Sequence, residues 1–280
     1  MFSVLSVVHR HSGNRGFSDF CTASQSDGTG ISDNGEAMKV FSAIFLLGLS
    51  CATQGLPDQG RLTARPHPVA SQCRGGLRAL GLDASRDAML YVPPAVADAG
   101  HPAPLLVVLH GAGGSGQRIS ERLRQAADAD GIILLAPSSR GATWDSIRGA
   151  LGPDVAFIDR AMKTAFDECA VEPSRVGVAG FSDGASYALT LGIANGDLFH
   201  GVIAFSACML TDAVPHGWPR FFLSHGREDD ILPIADCGRH LAARLRERGY
   251  RVRFEEFDGG HEIPGPIADE AFRWFGAGGR

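Results

Sequence analysis

The 280-residue sequence has no apolar run that could cross a lipid bilayer as a helix, which takes about 20 residues. The run Val40–Leu49 is too short for that purpose. A basic stripe is also missing, because 26 Lys and Arg are interspersed with 31 Asp and Glu and the formal net charge is -5. Binding along a phosphate backbone depends on clustered cations, so nucleic acid is not expected as a partner.

The six cysteines lack the spacings that hold zinc, such as C-x-x-C or paired Cys and His, so no metal site is expected. In an oxidising compartment the four cysteines after Ala52 could form one or two disulfides. We favour Cys208 with Cys237, since both should lie near the carboxyl ends of late strands. Buried free thiols are the alternative. The cysteines are Cys21, Cys51, Cys73, Cys169, Cys208 and Cys237.

An export signal is predicted from Met38 rather than from residue 1. Lys39, the run Val40–Leu49 and the small residues Ser50 and Ala52 come in the order of a secretory signal peptide. Because such signals begin at the amino terminus, translation is expected to start at Met38, with residues 1–37 as a non-native or disordered extension.

Residues 38–52 would then be the signal, residues 53–74 a linker and residues 75–280 the catalytic domain. The protein would be exported, to the periplasm or the medium. A lipoprotein signal is an alternative, and a lipid anchor at Cys51 would then be the one link to a membrane. A buried helix of the domain is the other alternative for the apolar run. The sequence leaves the oligomeric state open.

From about residue 75, short apolar runs alternate with longer amphipathic stretches, and no internal repeat is visible. This alternation predicts an α/β fold with a mainly parallel central sheet and helices on both faces. The predicted strands are a strand or hairpin in Leu77–Val92, then Pro104–His110, Gly131–Pro137, Arg175–Phe181, Gly201–Ser206, Phe221–His225 and Arg251–Phe257. The predicted helices include Gln117–Ala129, Val155–Glu168, Ala185–Ala194 and Gly238–Arg248. Ligands of such sheets bind beyond the carboxyl ends of the strands, which directs attention to the residues that end each run.

A candidate nucleophile comes directly after the strand Arg175–Phe181. The segment Gly180-Phe181-Ser182-Asp183-Gly184 is a G-x-S-x-G motif between a strand and a helix, the context of a nucleophile elbow. In so sharp a turn, side chains two residues either side of the serine would collide with neighbouring backbone, which explains both glycines. The structural alternative is a glycine-rich turn in which Ser182 caps a helix.

A serine hydroxyl needs a histidine to accept its proton and a carboxylate to orient that histidine. The loop after Phe221–His225 offers three carboxylates, of which Asp229 is favoured over Asp230 and Glu228. Together with a later histidine, this gives the chain order Ser, Asp, His that is typical of the α/β-hydrolase fold.

The candidate base is His261, which lies on a glycine-flanked turn after the last strand. Among the ten histidines, it alone follows the acid loop and lies on a glycine-flanked turn after a strand. His240 falls in a helical pattern and is expected at the surface. His110 and His225 end strands before a glycine and are expected to hydrogen-bond within the loops that they open. A solvent-exposed loop histidine is the alternative for His261.

The loop Gly111–Gly116 is rich in unhindered backbone amides. Acyl transfer needs two amide donors for the developing oxyanion, and the amides of Ala112 and Asp183 are the candidates. The same loop also spells G-x-G-x-x-G, so an NAD(P)-binding oxidoreductase is a competing hypothesis. That fingerprint requires an acidic residue after the next strand, where the chain has Ser138 and Ser139.

Taken together, these motifs resemble the carboxylesterase and polyhydroxyalkanoate-depolymerase-like branch, also called phospholipase/carboxylesterase, of the α/β-hydrolase superfamily. The resemblance covers residues 75–275 and includes the segment Tyr91-Val92-Pro93-Pro94. It implies an esterase that needs no cofactor and works through an acyl-enzyme, with Ser182, His261 and Asp229 as triad. A catalytically silent binding protein of this fold is a further alternative.

The short stretch Ala207–Trp218, where larger relatives insert a lid, predicts an open site without a large cap domain. Such a site would accept small esters or the end of a polymer. Trp144 and Met209, expected on loops at strand ends, could line a substrate pocket or merely pack. Asp183 departs from the Gln, Ala or Met of many relatives, and its carboxylate is expected to disfavour anionic substrates.

Overall fold

The computed structural model describes residues 60–69, 73–148 and 151–278, and their centre is an eight-stranded sheet. The spatial order is β1-β2-β4-β3-β5-β6-β7-β8. The pairs of β2 with β1 and with β4 are antiparallel, and all later pairs are parallel. The strands are β1 (Gly76–Ala79), β2 (Ala88–Val92), β3 (Ala103–Leu109), β4 (Ile133–Pro137), β5 (Val171–Phe181), β6 (Gly201–Phe205), β7 (Arg220–Gly226) and β8 (Val252–Phe257).

Helices cover both faces of this sheet. They are α1 (Pro94–Ala99), α2 (Gly116–Asp130), α3 (Pro153–Glu168), α4 (Asp183–Ala194), α5 (Gly238–Glu247) and α6 (Gly265–Gly276), with a short 3-10 helix at Asp145–Arg148. Strand β3 shows how the layers arise, because its side chains alternate between two cores. Leu105 and Val107 join the core under α3, α4 and α5, whereas Leu106 and Val108 join the core under α2 and α6. The predicted mainly parallel α/β-hydrolase fold is confirmed.

Two helices were not among those expected from the sequence. Helix α1 is short and buries none of its side chains. Helix α6 begins at Gly265 and ends at Gly276, residues of low helix propensity, and its terminal glycines gave no start or stop signal of a long helix. In the folded chain Phe272 and Phe275 of α6 are buried against the sheet. Packing therefore stabilises this helix where intrinsic propensity does not.

The connection between β6 and β7 is short and carries no further helix or strand in its described residues, apart from a single bridge between Gly196 and Gly217. This agrees with the expected absence of a large cap domain. The carboxyl ends of β5 to β8 are thus left open to the residues that come after them. In the described part of the chain, no helix is both long and apolar enough for a membrane span.

The part of the expected linker that the structure describes, residues 60–69 and 73–74, is not an extended connector. Leu62 is 2% exposed and belongs to the main core. Its amide donates to Asn195 Oδ1 at 2.8 Å, and the Ala64 amide donates to Asp159 Oδ1 at 2.7 Å. Arg61 pairs with Asp197. The linker prediction for residues 53–74 was therefore wrong here: this segment binds the helices α3 and α4 and extends the domain towards the amino terminus. The extension 1–37 and the signal 38–52 lie outside the described residues.

Leu62→Ala is expected to lower the free energy of unfolding by about 2–4 kcal/mol, because it removes a buried side chain and leaves a cavity. Urea denaturation followed by circular dichroism measures the change. Val214→Ala, at a 43% exposed position, is the control and should change stability by less than about 0.5 kcal/mol. Equal and small losses for both variants would show that the segment is not part of the core.

Two disulfides join the described cysteines. Cys208–Cys237 forms as favoured from the sequence, and Cys73–Cys169 is the second bond. Both cysteines of the first pair were expected near the carboxyl ends of late strands. This is correct for Cys208, which comes shortly after β6, whereas Cys237 lies directly before α5. This bond therefore ties the loop after β6 to the start of α5. Cys73–Cys169 ties the segment before β1 to the end of α3.

Candidate active site

The Ser182 backbone lies in a sharp turn between β5 and α4. Its φ is 56°, in the left-handed region that residues other than glycine rarely adopt. The Ser182 amide donates to Phe205 O at 2.9 Å, and the amides of Ala185 and Ser186 donate to Ser182 O. These bonds hold the strained residue at the carboxyl end of β5, with its side chain free to face the neighbouring loops.

The two glycines of the elbow have no room for a side chain. A Cβ atom on Gly180 would lie 2.1 Å from Gly184 O, and one on Gly184 would lie 2.3 Å from Leu109 O. Both distances are far inside van der Waals contact. The crossing of β5, α4 and β3 at this point therefore requires glycine at both positions, for the steric reason that the sequence suggested.

The structure brings together the three residues that the sequence analysis selected as nucleophile, base and acid. His261 Nε2 lies 2.9 Å from Ser182 Oγ, and His261 Nδ1 lies 2.7 Å from Asp229 Oδ2. The residues come from the turn after β5, the loop after β7 and the turn after β8. One hydroxyl, one imidazole and one carboxylate thus form a continuous hydrogen-bonded chain.

The side chain of Asp229 is fully buried, and its alternatives Asp230 and Glu228 are exposed. Burial by itself would raise the pKa of Asp229, but hydrogen bonds from the Leu232 amide and from His261 hold this pKa below its ordinary value. The Leu232 amide donates to Asp229 Oδ1 at 2.8 Å. Asp229 is therefore ionised near neutral pH and holds the Nδ1 proton of His261 towards itself.

A second histidine contacts the same carboxylate, which sequence reasoning missed. His225 Nε2 lies 2.7 Å from Leu232 O and 3.2 Å from Asp229 Oδ2. The ring is fully buried. His225 does bond within the loop that it opens, as expected, and in addition it supports Asp229. His240 is exposed, also as expected.

The loop after β3 packs directly on the elbow. A Cβ atom on Gly111 would lie 3.3 Å from Ser182 Cβ. The Gly114 amide donates to Gly111 O within the loop, and the Gly113 amide donates to Ala142 O in the connection after β4. In the described part of the chain, no hydrogen bond uses the Ala112 amide or the Asp183 amide. These two donors, which the sequence analysis proposed for an oxyanion, are thus available beside Ser182.

His110 and Arg86 fix the shape of this loop. His110 Nδ1 donates to Gly111 O at 2.7 Å, and its Nε2 accepts from the Ser139 amide at 3.0 Å. Burial lowers the pKa of His110, so the ring is neutral and this tautomer is stable. Arg86 Nη2 donates to Gly114 O at 3.2 Å. Arg86 belongs to no sequence motif that could have identified this role.

Two further side chains line the elbow. The Asp183 carboxylate accepts from Thr143 Oγ1 at 2.6 Å, which turns it towards the loop after β4. The Phe181 ring packs on the His261 imidazole, with ring centroids 4.8 Å apart. The contact of Phe181 with His261 was not expected from the sequence, because the second position of the motif carries no fixed residue type.

Trp144 packs in the core, which is one of the two roles that the sequence left open, and its candidate role in a substrate pocket was wrong. Its side chain is fully buried, stacks on Tyr187 at 5.1 Å and donates from Nε1 to His110 O at 2.8 Å. Through this hydrogen bond to His110 O, Trp144 stabilises the start of the loop after β3. Met209 is 41% exposed, and its amide donates to Ser186 Oγ in the first turn of α4. A substrate role for Met209 stays a prediction.

Comparison with known proteins agrees with this geometry. Residues 143–267 match the family model described as Phospholipase/Carboxylesterase, a span that contains Ser182, Asp229 and His261. This span, which is less than half of the chain, resembles that family, and the fold is that of the α/β-hydrolases. Among curated relatives, this chain is 26% identical to probable feruloyl esterase C of Aspergillus oryzae, over 66% of this chain and 82% of that protein.

The chain is also 32% identical to acyl-protein thioesterase 1 of Emericella nidulans, over 33% of this chain and 42% of the thioesterase. The chain thus spans less than half the length of the thioesterases that it matches. Among solved structures, the Bacillus cereus carboxylesterase superposes with a TM-score of 0.52 and 17% identity, over 69% of this chain and 94% of that one. That likeness concerns the fold.

The hypothesis of dinucleotide binding finds no support here. The loop Gly111–Gly116 packs on the elbow with close backbone contacts, and Ser139, where an acidic residue would hold the ribose, instead bonds His110 and Arg86. Within the described residues, no group of three or more His, Cys, Asp and Glu side chains is arranged to hold a metal ion.

Proposed function

We propose that this protein is a serine hydrolase that cleaves carboxylic esters through an acyl-enzyme intermediate. The observation that carries the proposal is the hydrogen-bonded chain from Ser182 Oγ through His261 to Asp229, at 2.9 Å and 2.7 Å. Such a chain activates a hydroxyl that is otherwise a weak nucleophile near neutral pH. The feruloyl esterase and thioesterase relatives, and the carboxylesterase fold, support the same reaction class.

In the first half of the reaction, His261 Nε2 takes the Ser182 hydroxyl proton while the oxygen attacks the ester carbonyl carbon. The resulting imidazolium is stabilised by the ionised Asp229. The carbonyl oxygen becomes an oxyanion and accepts hydrogen bonds from the Ala112 and Asp183 amides. The amino-terminal end of α4 adds a favourable potential at that point. His261 then gives its proton to the alcohol oxygen as the carbon–oxygen bond breaks.

In the second half, a water molecule takes the place of the alcohol. His261 accepts one of its protons while the hydroxide oxygen attacks the acyl carbon, and the same two amides hold the second oxyanion. Collapse of this intermediate breaks the bond to Ser182 and returns the proton to Ser182 Oγ. The products are one carboxylic acid and one alcohol, and the protein is unchanged. No cofactor takes part in these steps.

The substrate is a small ester or the end of an ester-bearing polymer. Support comes from the short connection between β6 and β7, which leaves the triad uncovered, and from the exposed apolar side chains Met209 and Ile231 on loops after β6 and β7. Apolar groups at such positions favour contact with an acyl chain or an aryl group.

Hydrolysis of p-nitrophenyl esters with acyl chains of two to twelve carbons tests the proposed function. The purified chain is expected to release p-nitrophenolate well above the spontaneous rate, with a preference for one part of the series. Ser182→Ala serves as the matched control. Absence of turnover over the whole series by folded protein, together with tight binding of an ester, would instead support a binding protein of this fold.

Asp183→Asn is expected to raise kcat/KM for an anionic ester about 3- to 10-fold, because a carboxylate next to Ser182 repels a second negative charge at short range. Asparagine keeps an oxygen that can accept from Thr143 Oγ1 and leaves the backbone amide in place. The measurement compares p-nitrophenyl hemisuccinate with the neutral p-nitrophenyl butyrate. Asp98→Asn, an exposed carboxylate on α1, is the matched charge control. An equal change for both esters would refute the role of this charge.

Export of the mature domain is part of the proposal. It is supported by the two disulfides, Cys73–Cys169 and Cys208–Cys237, since such bonds form and persist in oxidising compartments. A signal peptide that starts at Met38 would supply the route. Fractionation of cells that express the full sequence, followed by amino-terminal sequencing of the mature chain, tests this point. A mature chain found in the cytoplasm with residues 38–52 attached would contradict it.

A further inference from the structure

A pocket lies at the amino ends of the strands, at the opposite end of the sheet from Ser182. It is about 130 Å³ in volume and is lined by Ser174, Arg175, His200, Trp218, Arg220 and Arg251, among others. Arg220 is the first residue of β7, whereas His200 and Arg251 stand directly before β6 and β8. These are the amino ends of parallel strands. The triad residues come after the carboxyl ends, so this pocket cannot hold the ester that reacts with Ser182.

The sheet itself brings the cations together. The Arg220 amide donates to His200 O at 3.1 Å, and the Phe221 amide donates to Arg251 O at 2.9 Å. Arg220 and Arg251 are therefore neighbours on adjacent strands, about 5 Å apart in backbone spacing. Like charges at such positions destabilise a sheet unless an anion lies between them.

The arginines of the pocket are not paired with carboxylates among the described residues. Arg175, Arg220 and Arg251 form no ion pair within the described ranges, in contrast to the nearby Arg61, which pairs with Asp197. Glu172 accepts from the Ser174 hydroxyl at 2.9 Å without pairing to these arginines. Burial, and next the charge of Arg251, lower the pKa of Arg220.

Arg175 lines the pocket and is anchored at the end of α6. One of its terminal nitrogens donates to Gly276 O at the end of α6. Its Nε is buried and has no hydrogen-bond partner among the described residues. A ligand in the pocket would therefore be bound through the terminal nitrogens of Arg175 and not through this Nε, which has almost no accessible surface.

The size of the pocket limits the ligand. Sites for drug-sized molecules enclose roughly 300–1,000 Å³, several times more than this one. The pocket therefore suits one small group. Arg220 is fixed by stacking on the Trp274 ring, 4.5 Å from its centroid, so one of the cations is already oriented before binding. Trp218, 73% exposed, forms the rim.

We propose that this pocket binds a single tetrahedral oxyanion, phosphate or sulfate, through Arg175, Arg220 and Arg251. Arginine donors match the oxygens of such groups in geometry as well as in charge. The oxyanion can be a free ion or the terminal group of a monoester. In a monoester, the organic group would extend out of the pocket and contact Trp218. The site is separate from ester cleavage and does not depend on it.

Thermal unfolding of the full chain in a chloride buffer tests the proposal. Adding 10 mM phosphate at constant ionic strength is expected to raise Tm by about 3–6 °C for a Kd near 1 mM. Arg251→Gln should abolish this rise and, in the absence of phosphate, should itself raise Tm slightly because a repulsion is removed. A purely structural arginine would show the opposite sign. Arg118→Gln, an exposed arginine on α2, is the matched control and should keep the full phosphate effect.

Titration calorimetry then separates the two sources of the oxyanion. Equal Kd values for inorganic phosphate and glycerol phosphate would show that the free ion is sufficient as the ligand. A Kd for glycerol phosphate that is ten times lower would show that the ligand is a larger phosphate ester. Ser182→Ala must leave both values unchanged, which keeps this result independent of the proposed esterase. A phosphate effect that persists in Arg251→Gln would overturn the proposal.

Discussion

Ser182→Ala is expected to lower kcat for the best p-nitrophenyl ester by about 10⁵- to 10⁶-fold, because the nucleophile of a triad works only as a unit with its base. Asp229→Asn should lower kcat about 10⁴-fold, since an amide in place of the carboxylate holds the wrong tautomer of His261. Initial rates under saturating ester, with folded protein quantified by circular dichroism, measure both losses. The residual rate comes from the two oxyanion amides and from ester binding.

Ser206→Ala is the control for these variants. Ser206 comes directly after β6 and also has a left-handed φ, of 53°, but it is fully buried, and its hydroxyl has no hydrogen-bond partner in the described part of the chain. Its removal should change kcat by less than about 3-fold, because a buried serine without a base has no part in the reaction. A loss at Ser206 that equals the loss at Ser182 would show that both act through folding.

Gly184→Ala is expected to lower the free energy of unfolding by at least about 3 kcal/mol and Tm by about 6–12 °C. The new Cβ would stand 2.3 Å from Leu109 O and 2.5 Å from His110 O, so α4 or the end of β3 must move. Either movement displaces the Ala112 amide relative to Ser182, and kcat should fall with the stability. Differential scanning fluorimetry and ester hydrolysis on the same sample measure the two effects.

Gly265→Ala is the matched control for the elbow variant. It adds the same methyl group at the first residue of α6, where no heavy atom lies within 4 Å of the new Cβ. Its Tm should stay within about 2 °C of the parent. A Tm for Gly184→Ala that also stays within this limit would mean that the contact of α4 with β3 is looser than the distances indicate.

The elements that the sequence predicted best are those with a strong local signal. Continuous apolar runs gave the buried strands, and the spacing of Gly180 and Gly184 around Ser182 predicted a turn that admits no side chains there. The order of Ser182, Asp229 and His261 selected residues that the fold brings into hydrogen-bond contact. The glycine positions could be predicted because they depend on sterics within a few residues, and the triad could be predicted because the chain order Ser, Asp, His is typical of this fold.

Other features depend on contacts between distant parts of the chain and were missed for that reason. Trp144 lies after a strand, as a pocket residue would, but its packing on Tyr187 is visible only once α4 is in place. Leu62 lies in a segment rich in Gly, Pro and Gln, and its burial depends on Asn195, 133 residues away. The contact of His225 with Asp229, four residues further along, was missed for a different reason, because it depends on the folded conformation of the loop after β7.

The most direct test of the central claim, that Ser182 is the activated nucleophile of a hydrogen-bonded triad, is covalent labelling with a fluorophosphonate. The folded protein is treated with the probe, digested and examined by tandem mass spectrometry. The account predicts one adduct, on Ser182, which is lost when the protein is unfolded beforehand and which slows strongly in His261→Ala. A folded protein that takes up no label, or that carries it on another serine, would contradict the account.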